Sequence, residues 1–341
     1  EERLLGVKRV PQRDFGIPRF TYDEGLAQLY GQPPAWPTPT RGVSEIRLAL
    51  RYRSNDSLLR HFKDTSTLYL EIVDYPGEWL LDLPMLAQDY LSWSRQMTGL
   101  LQGQRGEWSA RWRQLCDGLD PLAPADETRL AEIAAAWTDY LHACKREGLH
   151  FIQPGRFVLP GDMAGAPALQ FFPWPDVDAI GEARLAQADK HTNAGMLRER
   201  FKYYCEKVVK GFYKDHFLRF DRQIVLVDCL QPLNSGPQAF NDMRLALTQL
   251  MQSFHYGQRT LFRRLFSPVI DKLLFAATKA DHVTVDQHGN MVSLLQQLIQ
   301  DAWQNAAFEG ISMDCLGLAS IQATQGGLIE VNGEKIPALR G

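Results

Sequence analysis

The run Asp271-Lys-Leu-Leu-Phe-Ala-Ala277 is an apolar strand that delivers four residues suited to reading a purine, Thr278-Lys279-Ala280-Asp281. A carboxylate held in a strand-to-helix loop accepts two parallel hydrogen bonds from the N1–H and exocyclic amine of guanine. Adenine offers no such donor pair. Asp281 would therefore select guanine, with the Lys279 stem packed along the base; His282 reads either as packing on the guanine edge or as a surface residue at a helix start.

A second carboxylate stands at another strand end. Residues 67–74, Thr-Leu-Tyr-Leu-Glu-Ile-Val-Asp, are mostly apolar and stop at Asp74 before Tyr75-Pro76-Gly77. An Asp in that place can hold a nucleotide's Mg²⁺, and Gly77 lets its N–H approach a γ-phosphate without a Cβ in the way. Upstream, the Pro-rich loop 33–43 precedes an alternating strand over 44–52. Thr40 or Thr38 in that loop would supply a hydroxyl that senses Mg²⁺ and the γ-phosphate. Arg41, beside Gly42, would neutralise phosphate charge, and Trp36 would shield the nucleotide. A weaker fourth piece follows the strand Met313–Ala319, where a backbone N–H at Ser320 or Ile321 would meet the guanine carbonyl.

These residues need strands to carry them, and the strands are legible at 44–52, 67–74, 223–230, 272–277 and 314–319. Residues 1–43 read as an irregular leading segment, with a polar turn at Ser54-Asn55-Asp56 and a short stretch around Leu58–Phe62 between the first two strands. The interval 86–221 is far longer than one crossover helix requires and reads as mostly helical. Leu130, Ile133, Ala134, Trp137 and Leu141 form one apolar stripe, with Asp126 as its N-cap; Leu197, Phe201, Tyr204, Val208 and Phe212 form another. Between them, the Pro/Gly/aromatic loop 151–178 reads as a partner or lid surface. Residues 196–222 carry eight Lys/Arg against four Asp/Glu. The plain reading is a solvated helix face, and the sharper one an interaction helix for an acidic partner or membrane headgroups. Further on, a turn is expected at Asn234-Ser-Gly-Pro, helices over 238–256 and Val292–Phe308, and a hairpin at Asn332-Gly333.

Composition sets the outer limits. The chain has 341 residues, 45% hydrophobic and 23% charged, with net charge −3. That size accommodates two domains, and the charge gives no global pull toward nucleic acid or anionic membranes. The five cysteines show no Cys-x-x-Cys spacing, so neither a zinc site nor a disulfide framework is signalled, and a reducing cytoplasm fits.

The stretches Asp74-Tyr-Pro-Gly77-Glu-Trp-Leu-Leu-Asp-Leu-Pro84, Ala277-Thr-Lys-Ala-Asp-His282 and 11–20 resemble the YcjX-like family of bacterial stress-associated proteins. The resemblance implies a Ras-like P-loop GTPase fold, binding of GTP and GDP with Mg²⁺, and a helical insertion. Two departures stand out. Thr278 occupies a position where Asn is commonest, and no Gly-x-x-x-x-Gly-Lys-Ser/Thr occurs between residues 1 and 341. The chain, opening on Glu-Glu-Arg without Met, reads as an internal piece of a longer one. The expected fold is thus α/β: a Ras-like P-loop NTPase sheet lacking its phosphate-loop strand, with a large helical insertion. Its parts are a first Ras-like portion (1–85), the insertion (86–221), and a second Ras-like portion (222–341) with a C-terminal hairpin.

The expected activity is slow GTP hydrolysis by a switch protein. Glu78 stands where Ras-like hydrolases usually place Gln, so it can orient water but repels the γ-phosphate, with Arg41 as a stabiliser of transition-state charge. An unknown protein partner would engage the insertion. Alternatives are a helical scaffold with a vestigial nucleotide site, or a P-loop protein that uses ATP.

Overall fold

In the computed structural model, the residues described are 3–53, 65–254, 270, 272–300, 303–304, 307 and 311–341. The expected turn at 54–56, the stretch 58–62 and the far ends of the helices over 238–256 and 292–308 lie outside them. The chain divides into two units, residues 1–79 with 159–164, and residues 80–158 with 165–341.

The alternation expected over 44–52 is used in an antiparallel sheet. Leu4–Arg9 (β1), Ser44–Arg53 (β2) and Thr65–Asp74 (β3) pair in the order β1-β2-β3. Like faces like across β2 and β3, Ile46 opposite Ile72, Leu48 opposite Leu70, Leu50 opposite Leu68. Arg47 forms an ion pair with Glu71 at 3.1 Å and sits over the Tyr69 ring. The leading segment is not irregular, as its composition suggests. It contributes β1 and the helix Tyr22–Leu29 (α1), because β2 supplies the ladder partners that no local pattern in 4–9 announces.

The second unit holds a parallel sheet, Arg222–Val227 (β4), Lys272–Ala277 (β5) and Ser312–Gly317 (β6), in the order β4-β5-β6. β4 ends earlier than the expected 230: Asp228 and Cys229 leave the ladder, a short helix Leu230–Ser235 intervenes, and the expected turn follows at Gly236, which has positive φ. A long helix follows at Pro237–Phe254, and another at His288–Leu298 after β5. Gln325–Val331 (β7) and Glu334–Arg340 (β8) form the expected hairpin. Asn332 and Gly333 both have positive φ, as a two-residue turn of matching twist requires.

Helices fill most of 90–215. In chain order they are Tyr90–Gly99 (α2), Gln104–Trp108 (α3), Ala110–Cys116 (α4), Glu127–Arg146 (α5), Gly155–Val158 (α6), Val177–Ile180 (α7), Glu182–Ala186 (α8), Asn193–Tyr203 (α9) and Lys210–Asp215 (α10). α9 runs into α10 through a π-helical turn at Tyr204–Val209. Both expected stripes are buried, and Asp126 caps α5 by accepting from the Arg129 N–H at 3.0 Å. The aromatic loop 151–178 is not the surface it was read as. Phe151, Phe171, Phe172 and Trp174 are buried, with Trp93 and Phe201 packed on Phe171. A loop without periodicity gives no sign of which way its rings face; here they fill the space between helices.

Two carboxylates lie inside this unit. Asp242 faces Arg105 in a buried ion pair and accepts from the His150 and Phe151 N–H groups. Asp82 is held mainly by neutral donors, with the Arg156 charge near it. It accepts from the Tyr204 hydroxyl at 2.5 Å and the Gly155 N–H at 2.7 Å. Burial pushes its carboxyl up to about 7, against the downward pull of those donors. Among the described residues no helix is long and apolar enough to cross a membrane.

Candidate functional site

The three parallel strands end level with one another, Val227 opposite Ala277 and Ala277 opposite Gly317. In an open parallel sheet, ligands bind outside the carboxyl ends of the strands. The residues singled out in sequence leave β5 at that edge. The Thr278 N–H donates to the Val227 carbonyl at 2.9 Å, and the Ala280 N–H to the Leu318 carbonyl at 3.2 Å. The loop is thus pinned to both neighbouring strands.

Lys279 adopts φ 60° and ψ 36°, the left-handed region. That conformation costs a side-chain-bearing residue about 1–2 kcal/mol, and such strain gathers at functional sites. Its ammonium meets Asp228 Oδ2 at 2.7 Å. Asp281 accepts from the Ala323 N–H at 3.0 Å through Oδ2, and its carbonyl accepts from the Thr324 hydroxyl. The loop after β6, the weakest of the sequence signals, is therefore fastened to the Asp281 turn. Ser320 and His282 are exposed and Ile321 half-buried. A carboxylate has about four lone-pair sites, so Asp281 keeps acceptor capacity beyond the Ala323 bond.

The first unit holds the other candidates. The Thr40 hydroxyl donates to Asp74 Oδ2 at 2.6 Å, joining the Pro-rich loop to the end of β3. Between the two threonines the structure distinguishes plainly: the Thr38 N–H donates to Gln28 Oε1 at 3.2 Å, and only Thr40 reaches Asp74. Hydroxyl and carboxylate oxygens are the hard donors Mg²⁺ takes, and it usually keeps several waters besides one or two carboxylates. Among the described residues no three His, Cys, Asp or Glu side chains converge as a metal cage. Trp36 and Arg41 are exposed, Gly42 half-buried. A Cβ built on Gly77 meets nothing, so Gly77 has room for a ligand's approach, and Glu78 follows it half-buried.

Three residues escaped the sequence reading: Asp228, Ala323 and Gln28. The signal for Asp228 was present, since it ends an apolar strand as Asp74 does. Nothing local marks Ala323 or Gln28, which act by a backbone N–H and by a contact to the Thr38 N–H.

Two curated relatives match the whole chain. A protein named "Ras-like GTPase YcjX" from Escherichia coli (strain K12) is 92% identical over 341 residues, which cover 73% of its length. A protein of the same name from Shewanella oneidensis is 44% identical over 343 residues, covering all of this chain and 71% of its own length. The family model described as "YcjX-like family, DUF463" matches residues 1–341. The chain belongs to the YcjX-like family.

Proposed function

We propose that this chain carries most of a GTP-binding, slowly GTP-hydrolysing switch protein. The observation that carries the reading is the Asp281 turn, fastened to the Ala323 N–H with Lys279 strained beside it at the carboxyl edge of a parallel sheet. In this reading Asp281 accepts from guanine, the Lys279 stem covers the base, and N–H groups at Ser320 and Ile321 face the guanine carbonyl. Thr40 and Asp74 hold Mg²⁺, which when bound neutralises phosphate charge. Trp36 and Arg41 cover the phosphates beside Gly42, and the Gly77 N–H approaches the γ-phosphate. Glu78 orients water at the expense of charge repulsion, which keeps hydrolysis slow.

The domain reading is 1–85 and 222–341 for nucleotide binding, with 86–221 as an insertion that responds to it. The stress-response part of the reading rests on the family resemblance, and the cytoplasmic part on the five scattered cysteines. The phosphate loop, absent from the sequence of residues 1–341, comes in this reading from chain beyond them. Fluorescent GDP and GTP are titrated into this chain and into a longer one extended upstream, with ATP competition and with and without Mg²⁺. Tight, guanine-selective binding by the extended chain, lost in Asp281→Ala, is the expected result. No binding by a well-folded extended chain would overturn the reading in favour of a helical scaffold, and equal competition by ATP would favour an ATP-using protein. Glu78→Gln with unchanged single-turnover hydrolysis would remove Glu78 from catalysis.

A further inference from the structure

The basic stretch 196–222 has a structural counterpart that nucleotide chemistry does not use. A cavity of about 490 Å³ lies in the second unit between residues 85–91 and the helices α9 and α10. Met85, Tyr90, Phe201, Cys205 and Tyr213 supply its apolar interior, and each is itself buried. Burial pushes the Cys205 thiol up to about 12, so it serves as an apolar lining group rather than a nucleophile. The volume falls in the range of small-molecule sites.

Lys202, Lys210 and Lys214 line the same cavity and are exposed. Among the described residues none of the three forms an ion pair. In a regular helix, eight residues would turn Lys210 about 80° away from Lys202. The π-helical turn at Tyr204–Val209 takes more residues per turn and offsets much of that rotation, so both face one space. Lys210 and Lys214, four apart, repel each other on one face. Two acids also line the cavity. Asp89 is committed to capping α2 through the Ser92 N–H at 2.7 Å, which leaves Glu206 against the three lysines. Arg198, a fourth cation there, is anchored to the carbonyls of Leu185, Ala186 and Ala188.

We propose that this cavity binds a single-chain amphiphile with an anionic head. Its hydrocarbon lies against Met85, Tyr90, Phe201 and Tyr213, and its carboxylate or phosphate is held by Lys202, Lys210 and Lys214. Charge complementarity fixes the head and apolar lining the tail. A neutral chain leaves the lysines without a partner, and a free anion leaves the interior unfilled. The site is independent of the nucleotide reading and stands or falls separately from it.

The test is a titration of the chain with dansylaminoundecanoic acid below its micellar concentration, followed by displacement with dodecyl phosphate or with methyl laurate. Saturable binding, displaced by dodecyl phosphate and at least about tenfold less well by the neutral ester, is expected. Lys202→Ala with Lys210→Ala lowers dodecyl phosphate affinity at least about tenfold, a loss of about 1.4 kcal/mol. Ala186→Trp, at an exposed rim position, blocks binding while the melting curve stays unchanged. The proposal is overturned by absence of saturable binding, by equal affinity for the neutral ester, or by binding that survives both variants. Binding to anionic vesicles without binding of the free amphiphile would overturn it too, and assign the lysines to a membrane surface.

Discussion

Trp93 and Phe171 are fully buried and Trp137 is 1% exposed, whereas Leu68 and Tyr69 of β3 keep 54% and 52% exposure and Ile224 and Leu226 of β4 keep 61% each. The helical residues between Leu80 and Phe217 are closely packed, and their internal Arg105 is paired with Asp242 of the helix Pro237–Phe254. The two small sheets are covered only in part, with Leu273, Phe275, Ala276 and Ala277 of β5 buried and the strands beside it less so. Among the described residues β3 is bonded to β2 alone and β4 to β5 alone, so each presents an open edge beside apolar side chains. Tight packing sits in the helices and in the central strand β5, while Asp74 and Asp228 follow strands with an open edge and Lys279 follows β5 in a strained turn.

The largest expected effect sharpens that contrast. Trp137→Ala removes a ring packed on Trp112 and Tyr140 and should cost about 3–5 kcal/mol in urea unfolding. Leu68→Ala on the exposed face of β3 should cost under about 1 kcal/mol. Equal losses at the two sites would mean that the sheet is as well covered as the helices, and would break the comparison.

The buried carboxylate gives a pH signature next. Asp82 in the folded chain titrates at about 7, above the 3.8 of an ordinary aspartate. Its contribution is fully present below the lower value and is lost as pH rises through the upper one, because the unfolded chain gives up the proton first. Unfolding measured from about pH 4 to about pH 8 should show a decline on the order of 4 kcal/mol from this group. Asp82→Asn should remove that decline. An unchanged pH slope in the variant would show that Asp82 is ionised in the fold.

How much of this was legible in the chain follows the same division. The stripes through Leu130 and Leu197 and the cap at Asp126 were readable because helical burial repeats every three to four residues. The Asn332-Gly333 turn and the three parallel strands were readable from local turn chemistry and short apolar runs. The strand at Leu4–Arg9 was hidden, since its ladder partner lies some 40 positions away on β2. The burial of Phe171 and Trp174 was hidden because aromatic loops carry no period. At the candidate site, only side chains with a motif spacing could be singled out, whereas contacts through a backbone N–H, as at Ala323, leave no residue-type signature. The π-helical turn was hidden too: the stripe Leu197 to Phe212 looks continuous while the backbone widens within it.

A smaller effect separates stability from chemistry at β3. Thr40→Val deletes the donor to Asp74, which should cost about 1–2 kcal/mol at a half-buried pair. In the extended chain it should weaken Mg²⁺-dependent GTP binding more than GDP binding, read by the ratio of the two affinities. An unchanged ratio would assign the Thr40–Asp74 bond to holding the Pro-rich loop and nothing more.

The smallest stability change is expected at Lys279, where the functional change should be large. Asn tolerates the left-handed region better than Lys, so Lys279→Asn relieves part of the backbone strain. It also gives up the pair with Asp228, in which the lysine side chain is 53% exposed; such pairs contribute about 0.2–1 kcal/mol. The two terms oppose each other, so the melting curve should hardly move. Affinity for GDP in the extended chain should nonetheless fall at least about tenfold if, as proposed, the Lys279 stem covers the base. A turn that existed only to connect β5 to the next helix would show the reverse, a gain in stability with no loss of affinity. Lys279 thus sets the strained edge against the packed helical interior: at one, a residue sits against its backbone preference beside Asp228, and in the other Trp93, Trp137 and Phe171 fill space.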